Sequence, residues 1–264
     1  MIRLKVVERI DNFAFTARRE VRIFLHLGWR DLKSRYADTF LGPWWSVANL
    51  LVIVIGSTVA VNLLSGGDIW SSAGNLALGI SLWTLMANNI IESTEMFISE
   101  RSLLLNTHLS ELSLILRIAW RNLLVYFHNL SVVGIIVIIS GIDGLYRLCY
   151  LPVLGIVATI LVLPISIVVA RLSIRLPAIK IVAPAIIQFL FFLTPILWKQ
   201  PTSGAMALVG SFNPFAWVIN ISKTFVFNEQ INVVQSISLL SWLLVAVLSA
   251  IFAKHIFRYS RKSI

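Results

Sequence analysis

Long apolar runs punctuated by short polar stretches recur along this chain, and the first of them sets the scale. Trp44 to Leu64 holds 21 residues without a charge. At ~1.5 Å per residue, a helix of that length crosses the ~30 Å hydrocarbon layer of a bilayer. Just before it, Leu41-Gly42-Pro43-Trp44-Trp45 supplies a break, a proline suited to a first helical turn, and two tryptophans whose rings favour the headgroup level. Taken as spans, the runs cover 44–64, 73–95, 113–140, 148–170, 181–198 and 237–253. The pattern predicts an all-α integral membrane protein with six transmembrane helices, in which residues 1–43 form an interface region ahead of a transmembrane domain, 44–264.

Within that frame several faces stand out. Residues 6–28 place Val7, Ile10, Ala14, Ala17, Val21, Leu25 and Gly28 at three- and four-residue spacing, with Arg9, Arg18, Arg19 and Arg22 on the remaining surface. This predicts a cationic amphipathic helix lying in the membrane interface against anionic lipid headgroups. Residues 30–41 are expected to continue it as a second short helix before the Gly42-Pro43 break. In the second span Ser81, Leu85, Asn88, Glu92 and Glu95 share one helical face. Glu92 and Glu95 sit where the span emerges, within reach of Arg30 or Arg35; Asn88, deeper in, is a candidate for lining a pathway. Ser46, Asn49, Ile53, Gly56 and Ala60 form a comparable small and polar face on the first span, which suits helix packing as well as pore lining. Arg117 and Arg121, one turn apart, are placed to snorkel, and Pro152 and Pro164 are expected to bend the fourth span.

Composition fixes the class. Hydrophobic residues make up 58% of the chain and charged ones 13%, with a mean hydropathy of +0.87, values that a soluble domain of this length would struggle to keep in solution. The net charge of +10 suggests no nucleic-acid partner, because the basic residues fall at the ends of apolar spans and not in a stripe with interleaved aromatics. With six spans drawn, all of the 22 Lys and Arg residues except Arg147, Lys199 and Lys223 lie on one side. The positive-inside bias makes that side, and both termini, cytoplasmic. The count leaves 201–227, apolar enough to cross but interrupted by Gly204, Gly210 and Pro214. Counting it would place the basic carboxyl end outside, so it is expected to be re-entrant, as broken backbone is tolerated where it is buried in protein or lines a wet cavity.

No catalytic constellation emerges. Cys149 is the single cysteine, the four histidines are scattered, and no Cys/His cluster has metal-ligand spacing, so neither a metal nor a cofactor is expected. The dipeptide Gly-Lys does not occur, which excludes a Walker A phosphate loop in this sequence. Nucleotide energy, if used, is expected from another polypeptide. The first 28 residues carry charges throughout, with no apolar core of the kind a cleavable signal needs. A membrane-embedded lipid-linked glycosyl or phosphate transferase would need acidic or histidine groups gathered at one face; Glu92, Glu95 and Glu100 are the candidates, without an evident metal or base partner.

Four stretches together resemble a known family. They are RDLKSRYADTFLGPWWSV before the first span, Arg101-Ser102-Leu103-Leu104-Leu105 after the second, RLPAIKIVAPAIIQFLFFLTPILW through the fifth, and FNPFAWVI after it. In this order they are similar to the ABC-2 transporter permeases, and more narrowly to the polysaccharide-export branch: O-antigen permeases of the Wzm type, capsule permeases and teichoic-acid permeases. Thr194 stands where that branch often has serine. The resemblance implies a homodimeric half-transporter in the bacterial inner membrane that joins two copies of a separate ATPase subunit, where ATP binds, and exports a lipid-linked polysaccharide. It further implies that the interface helix and the loop carrying Glu100, Arg101, Leu104 and Asn106 rest on the ATPase. Asn49, Trp83, Asn88 and Gln188 become candidates for the substrate channel, and Phe212, Phe215 and Trp217 for an outer gate. A drug or small-lipid exporter of the ABC-2 type is the alternative within transport.

Overall fold

The computed structural model describes residues 20–100, 111–199, 201, 204–228 and 247, and among them it contains helices and turns and no strand. Helix α1 covers residues 20–35. It is followed by α2 (Trp44–Ser65), α3 (Ile69–Ser99), α4 (Glu111–Ile139), a 3-10 turn (Leu145–Cys149) that runs into α5 (Tyr150–Arg175), α6 (Ile179–Leu193), α7 (Ala205–Phe212) and α8 (Pro214–Phe227). Residues 1–19, residues 101–110, where a loop is expected, and, apart from Val247, the expected last span 237–253 lie outside the described residues.

The helix ends follow local chemistry. α2 stops at Gly66, which takes the left-handed conformation at φ 60° and returns its N–H to Asn62 O. Two residues on, Asp68 starts α3 by accepting from Ser71 N at 2.7 Å. The Asn213 side chain does the same for α8, accepting from Phe215 N at 2.9 Å, with Pro214 at the first helical position.

Three expectations change. A division near residue 29 is absent: α1 runs unbroken through Gly28, and the chain unwinds only over 36–43. Gly28 is instead a contact point, because a Cβ there would lie 2.9 Å from both Arg117 O and Trp120 Cδ1 of α4. The fifth apolar run does not stay helical to Trp198; α6 ends at Leu193, where Thr194 turns extended at ψ 136° ahead of Pro195. Arg117 and Arg121 do not reach outward, since both are held in ion pairs against α1 and α3.

α3 is the axis of the bundle. The consecutive residues Ile80, Ser81, Leu82 and Trp83 point to all sides of it and are all buried, as befits a helix surrounded by protein; it packs against α2, α4, α5, α6 and α8. Close approaches seal the α4–α5 pair: the Tyr126 ring occupies the space where a Cβ on Gly155 would sit, and its hydroxyl donates to Leu151 O at 2.8 Å. The outer faces are apolar and open, with Val52, Leu63, Ile181 and Phe189 exposed. Among the described residues, three helical stretches are long and apolar enough to cross a membrane: Trp44–Ser65, Glu111–Ile139 and Leu145–Arg175. α7 and α8 meet at a 95° bend and form a fourth only if the broken pair counts as one span; α6 is shorter.

Candidate functional site

One end of the bundle is charged, and α1 creates it. The helix lies along α4: Glu20 accepts from Ser113 Oγ at 2.9 Å, Gly28 abuts the α4 backbone, and the Asp31 carboxylate takes both Nε and Nη2 of Arg117 at 2.5 and 2.8 Å. Arg35 then reaches Glu92 on α3 at 2.6 Å, and Arg121 reaches the other oxygen of the same carboxylate at 2.5 Å. Glu100, at the end of α3, pairs with Arg117 at 3.3 Å, and Arg121 stands 3.9 Å from Asp31. This collar joins α1, the end of α3 and the start of α4, and it lines a cavity of about 190 Å³ together with Glu95. Burial weakens the Arg35 charge, but the Glu92 carboxylate outweighs it, and the pKa of the guanidinium is raised. Arg35 therefore remains a cation.

Directly beyond the collar lies a second cavity, of about 180 Å³, that shares Arg35 with the first. Amides and hydroxyls from three helices, Ser46 and Asn49 on α2, Thr84 and Asn88 on α3, Asn122 and Asn129 on α4, share its walls with the apolar Leu50, Ile53 and Val125. Ser46 Oγ stands 3.3 Å from Asn129 Oδ1, and Trp44 meets His128 edge-on at 6.2 Å between ring centroids, so the cavity is level with the first turns of α2. Trp45 and Tyr36 also line it. That is the depth at which tryptophan rings settle in a bilayer. Asn122 links the two cavities, donating from Nδ2 to Glu92 at 2.8 Å.

A family model for the ABC-2 type transporter matches residues 22–227, from the first turn of α1 as described to the last residue of α8. The chain belongs to the ABC-2 type transporter family. Comparison with curated proteins finds no match. As an ABC-2 permease it is a multi-pass membrane component of a transporter, of a kind that normally pairs with an ATPase subunit.

Within this ABC-2 permease the residues singled out from sequence fall into separate places. Asn49 and Asn88 meet in the amide-lined cavity. Trp83 is buried instead among aromatic side chains, 5.7 Å from Phe191 and 5.4 Å from Phe215 between ring centroids. Gln188 is exposed on α6. Of the three aromatics in the bent segment, Phe212 is 69% exposed, Phe215 is 4% exposed, and Trp217 is half-buried against the core. Glu100 belongs to the collar, whereas Arg101, Leu104 and Asn106 lie outside the described residues. Sequence reasoning missed Asn122 and Asn129. They are seven residues apart on α4, two helical turns on one face, and that spacing was the available signal.

The Thr-Pro-Ile and Asn-Pro-Phe motifs prove to be in contact. Asn213 Nδ2 donates to Thr194 Oγ1 at 2.8 Å, Thr194 Oγ1 donates to Leu190 O at 2.7 Å, and Lys223 Nζ donates to Pro195 O at 3.0 Å. These bonds fasten the irregular end of α6 to α8. The far end of α8 returns to the bundle end where α5 begins, with Phe225 O accepting from Arg147 at 3.1 Å and the Phe225 ring tilted against Tyr150 at 5.1 Å between centroids.

Proposed function

We propose that this permease works as a homodimer of six-span subunits with cytoplasmic termini, joins two copies of an ATPase subunit, and exports a lipid-linked polysaccharide across the bacterial inner membrane. The charged collar is the observation that supports coupling. It ties α1 and the end of α3, next in sequence to residues 101–110, to α4, so a push from an ATPase on either element is delivered into the middle of the bundle. Paired charges in a partly desolvated setting hold geometry better than apolar contacts, which slide. The substrate class follows the likeness of the Arg-Tyr to Leu-Gly-Pro block and the Thr-Pro-Ile and Asn-Pro-Phe pair to the polysaccharide-export branch. The bent α7–α8 segment serves as the outer gate in this reading, and its return toward Arg147 is what a re-entrant hairpin requires.

The test is genetic and biochemical together. Deleting the gene should strip polymer from the cell surface while lipid-linked polymer accumulates inside, and the purified subunit should hydrolyse no ATP until its ATPase is added, forming a complex of two plus two. Surface polymer at wild-type amounts in the deletion strain would sink the substrate assignment. Turnover by the lone chain, free of contaminating ATPase, would sink the partnership.

A further inference from the structure

We infer that the amide-lined cavity is a recognition site for one hydroxyl-rich headgroup unit, a single sugar or a glycerol, held within one protomer at headgroup depth. Its volume of about 180 Å³ holds several water molecules, the scale of one such unit. The wall is uncharged except at Arg35, whose charge is already met by Glu92 at 2.6 Å.

Asn122 belongs to this wall and is already engaged. The side chain is 3% exposed, and its Nδ2 is committed to the Glu92 carboxylate at 2.8 Å and to Asn89 Oδ1 at 3.4 Å. A carboxylate only accepts, so the amide is oriented by chemistry and its Oδ1 is an acceptor. That oxygen is buried without a partner. It lies below the surface of the wall, so a ligand first meets the accessible amides of Asn49 and Asn88. Asn49 and Asn88, on the two facing helices, make no side-chain hydrogen bond to the described residues. Each amide offers one donor and one acceptor side by side, the complement of two neighbouring hydroxyls. Trp45 and Tyr36 add flat faces for the C–H side of a ring. This chemistry stands on the cavity alone; only the step that makes the sugar part of an exported polymer rests on the role proposed above.

The test uses the full chain in nanodiscs, carrying Cys149→Ser and Ser46→Cys, so that the cavity holds the one thiol. Its reaction with a water-soluble methanethiosulfonate is timed in three bilayers: phosphatidylcholine alone, phosphatidylcholine with monoglucosyl diacylglycerol, and phosphatidylcholine with phosphatidylglycerol. The expected result is a slowing of fivefold or more by at least one hydroxyl-bearing lipid. Slowing by the glucolipid identifies the sugar as the source, and slowing by phosphatidylglycerol identifies the glycerol headgroup. Adding Asn88→Leu, at a half-buried position without a hydrogen bond to lose, should reduce the effect below twofold. A thiol at exposed Arg30, Arg30→Cys, should react equally fast in all three bilayers. Equal rates at Ser46→Cys in every bilayer, a thiol that never reacts, or slowing that survives Asn88→Leu would each overturn the site. Protection in a protein whose deletion leaves surface polymer untouched would refute the export role and leave the site standing.

Discussion

At the scale of single residues, Gly28 shows how two opposed effects are weighed. An alanine gains up to about 1 kcal/mol of helix propensity over glycine, yet its Cβ would sit 2.9 Å from the Arg117 carbonyl oxygen, an overpacking that costs ~1–3 kcal/mol. Gly28→Ala should therefore be mildly destabilising, and Gly28→Leu should lift α1 off α4. Limited proteolysis at the arginines of α1 reads this directly: faster cleavage is expected in Gly28→Leu, and wild-type resistance would show that the contact does not hold the helix. Glu92 is the second test. Glu92→Gln leaves Arg35 and Arg121 without their shared anion; because Arg35 is 43% exposed, the cost should fall below the ~3–5 kcal/mol of a fully buried broken pair, at about 2 kcal/mol. A thermal-unfolding midpoint lowered by several degrees is the expected outcome, and an unchanged midpoint would place the collar outside the stability of the fold. Of these pairings, Arg35 with Glu92 was legible from the place where the second span emerges; those of Arg117 and Arg121 were not. Arg117 finds Asp31 across 86 positions, and a pair of arginines one turn apart reads equally well as a snorkelling pair until the partner helix is in place.

Among elements, α7 and α8 separate packing from gating. Phe215 is 4% exposed against Trp83, whereas Phe212 is 69% exposed. Phe215→Ala should cost ~3–5 kcal/mol, as for other buried aromatics, while Phe212→Ala should stay within ~0.5 kcal/mol. If Phe212 closes the gate in the dimer, its replacement raises ion leakage in planar bilayers without touching thermal stability. A sealed resting dimer would remove it from the gate. The Asn213–Thr194 bond gives a companion test: Thr194→Ser retains the hydroxyl and should be near neutral, but Thr194→Val strands the Asn213 amide and should cost ~1 kcal/mol or more. The breaks in this segment were legible from Gly204 and Pro214, whereas Gly210, also expected to interrupt it, lies within α7. The contact of Asn213 with Thr194 at the end of α6 was not, because hydrogen bonds between segments leave no periodicity.

For the whole molecule, hydropathy located four of the apolar runs within a few residues of their helices, since solvent exclusion is written locally in the chain. It overestimated α6, where Thr194 and Pro195 end the helix inside an apolar run. It also read α3 as one crossing among equals, although that helix is the enclosed centre. Sidedness is tested with cysteines in a Cys149→Ser background. Ser71→Cys and Asp143→Cys, both exposed at the end opposite the collar, should react with an impermeant thiol reagent added to intact cells, and Arg30→Cys should react only after lysis. The reverse pattern would invert the protein in the membrane.

The collar also has an electrical meaning. Its ion-paired members are three guanidinium groups, of Arg35, Arg117 and Arg121, and three carboxylates, of Asp31, Glu92 and Glu100. A single charge carried through the full membrane potential exchanges ~2.3 kcal/mol per 100 mV with it. A paired group of six that sums to zero exchanges none when it moves as a body, so a stroke delivered through this joint is the same in an energised cell as in a depolarised one.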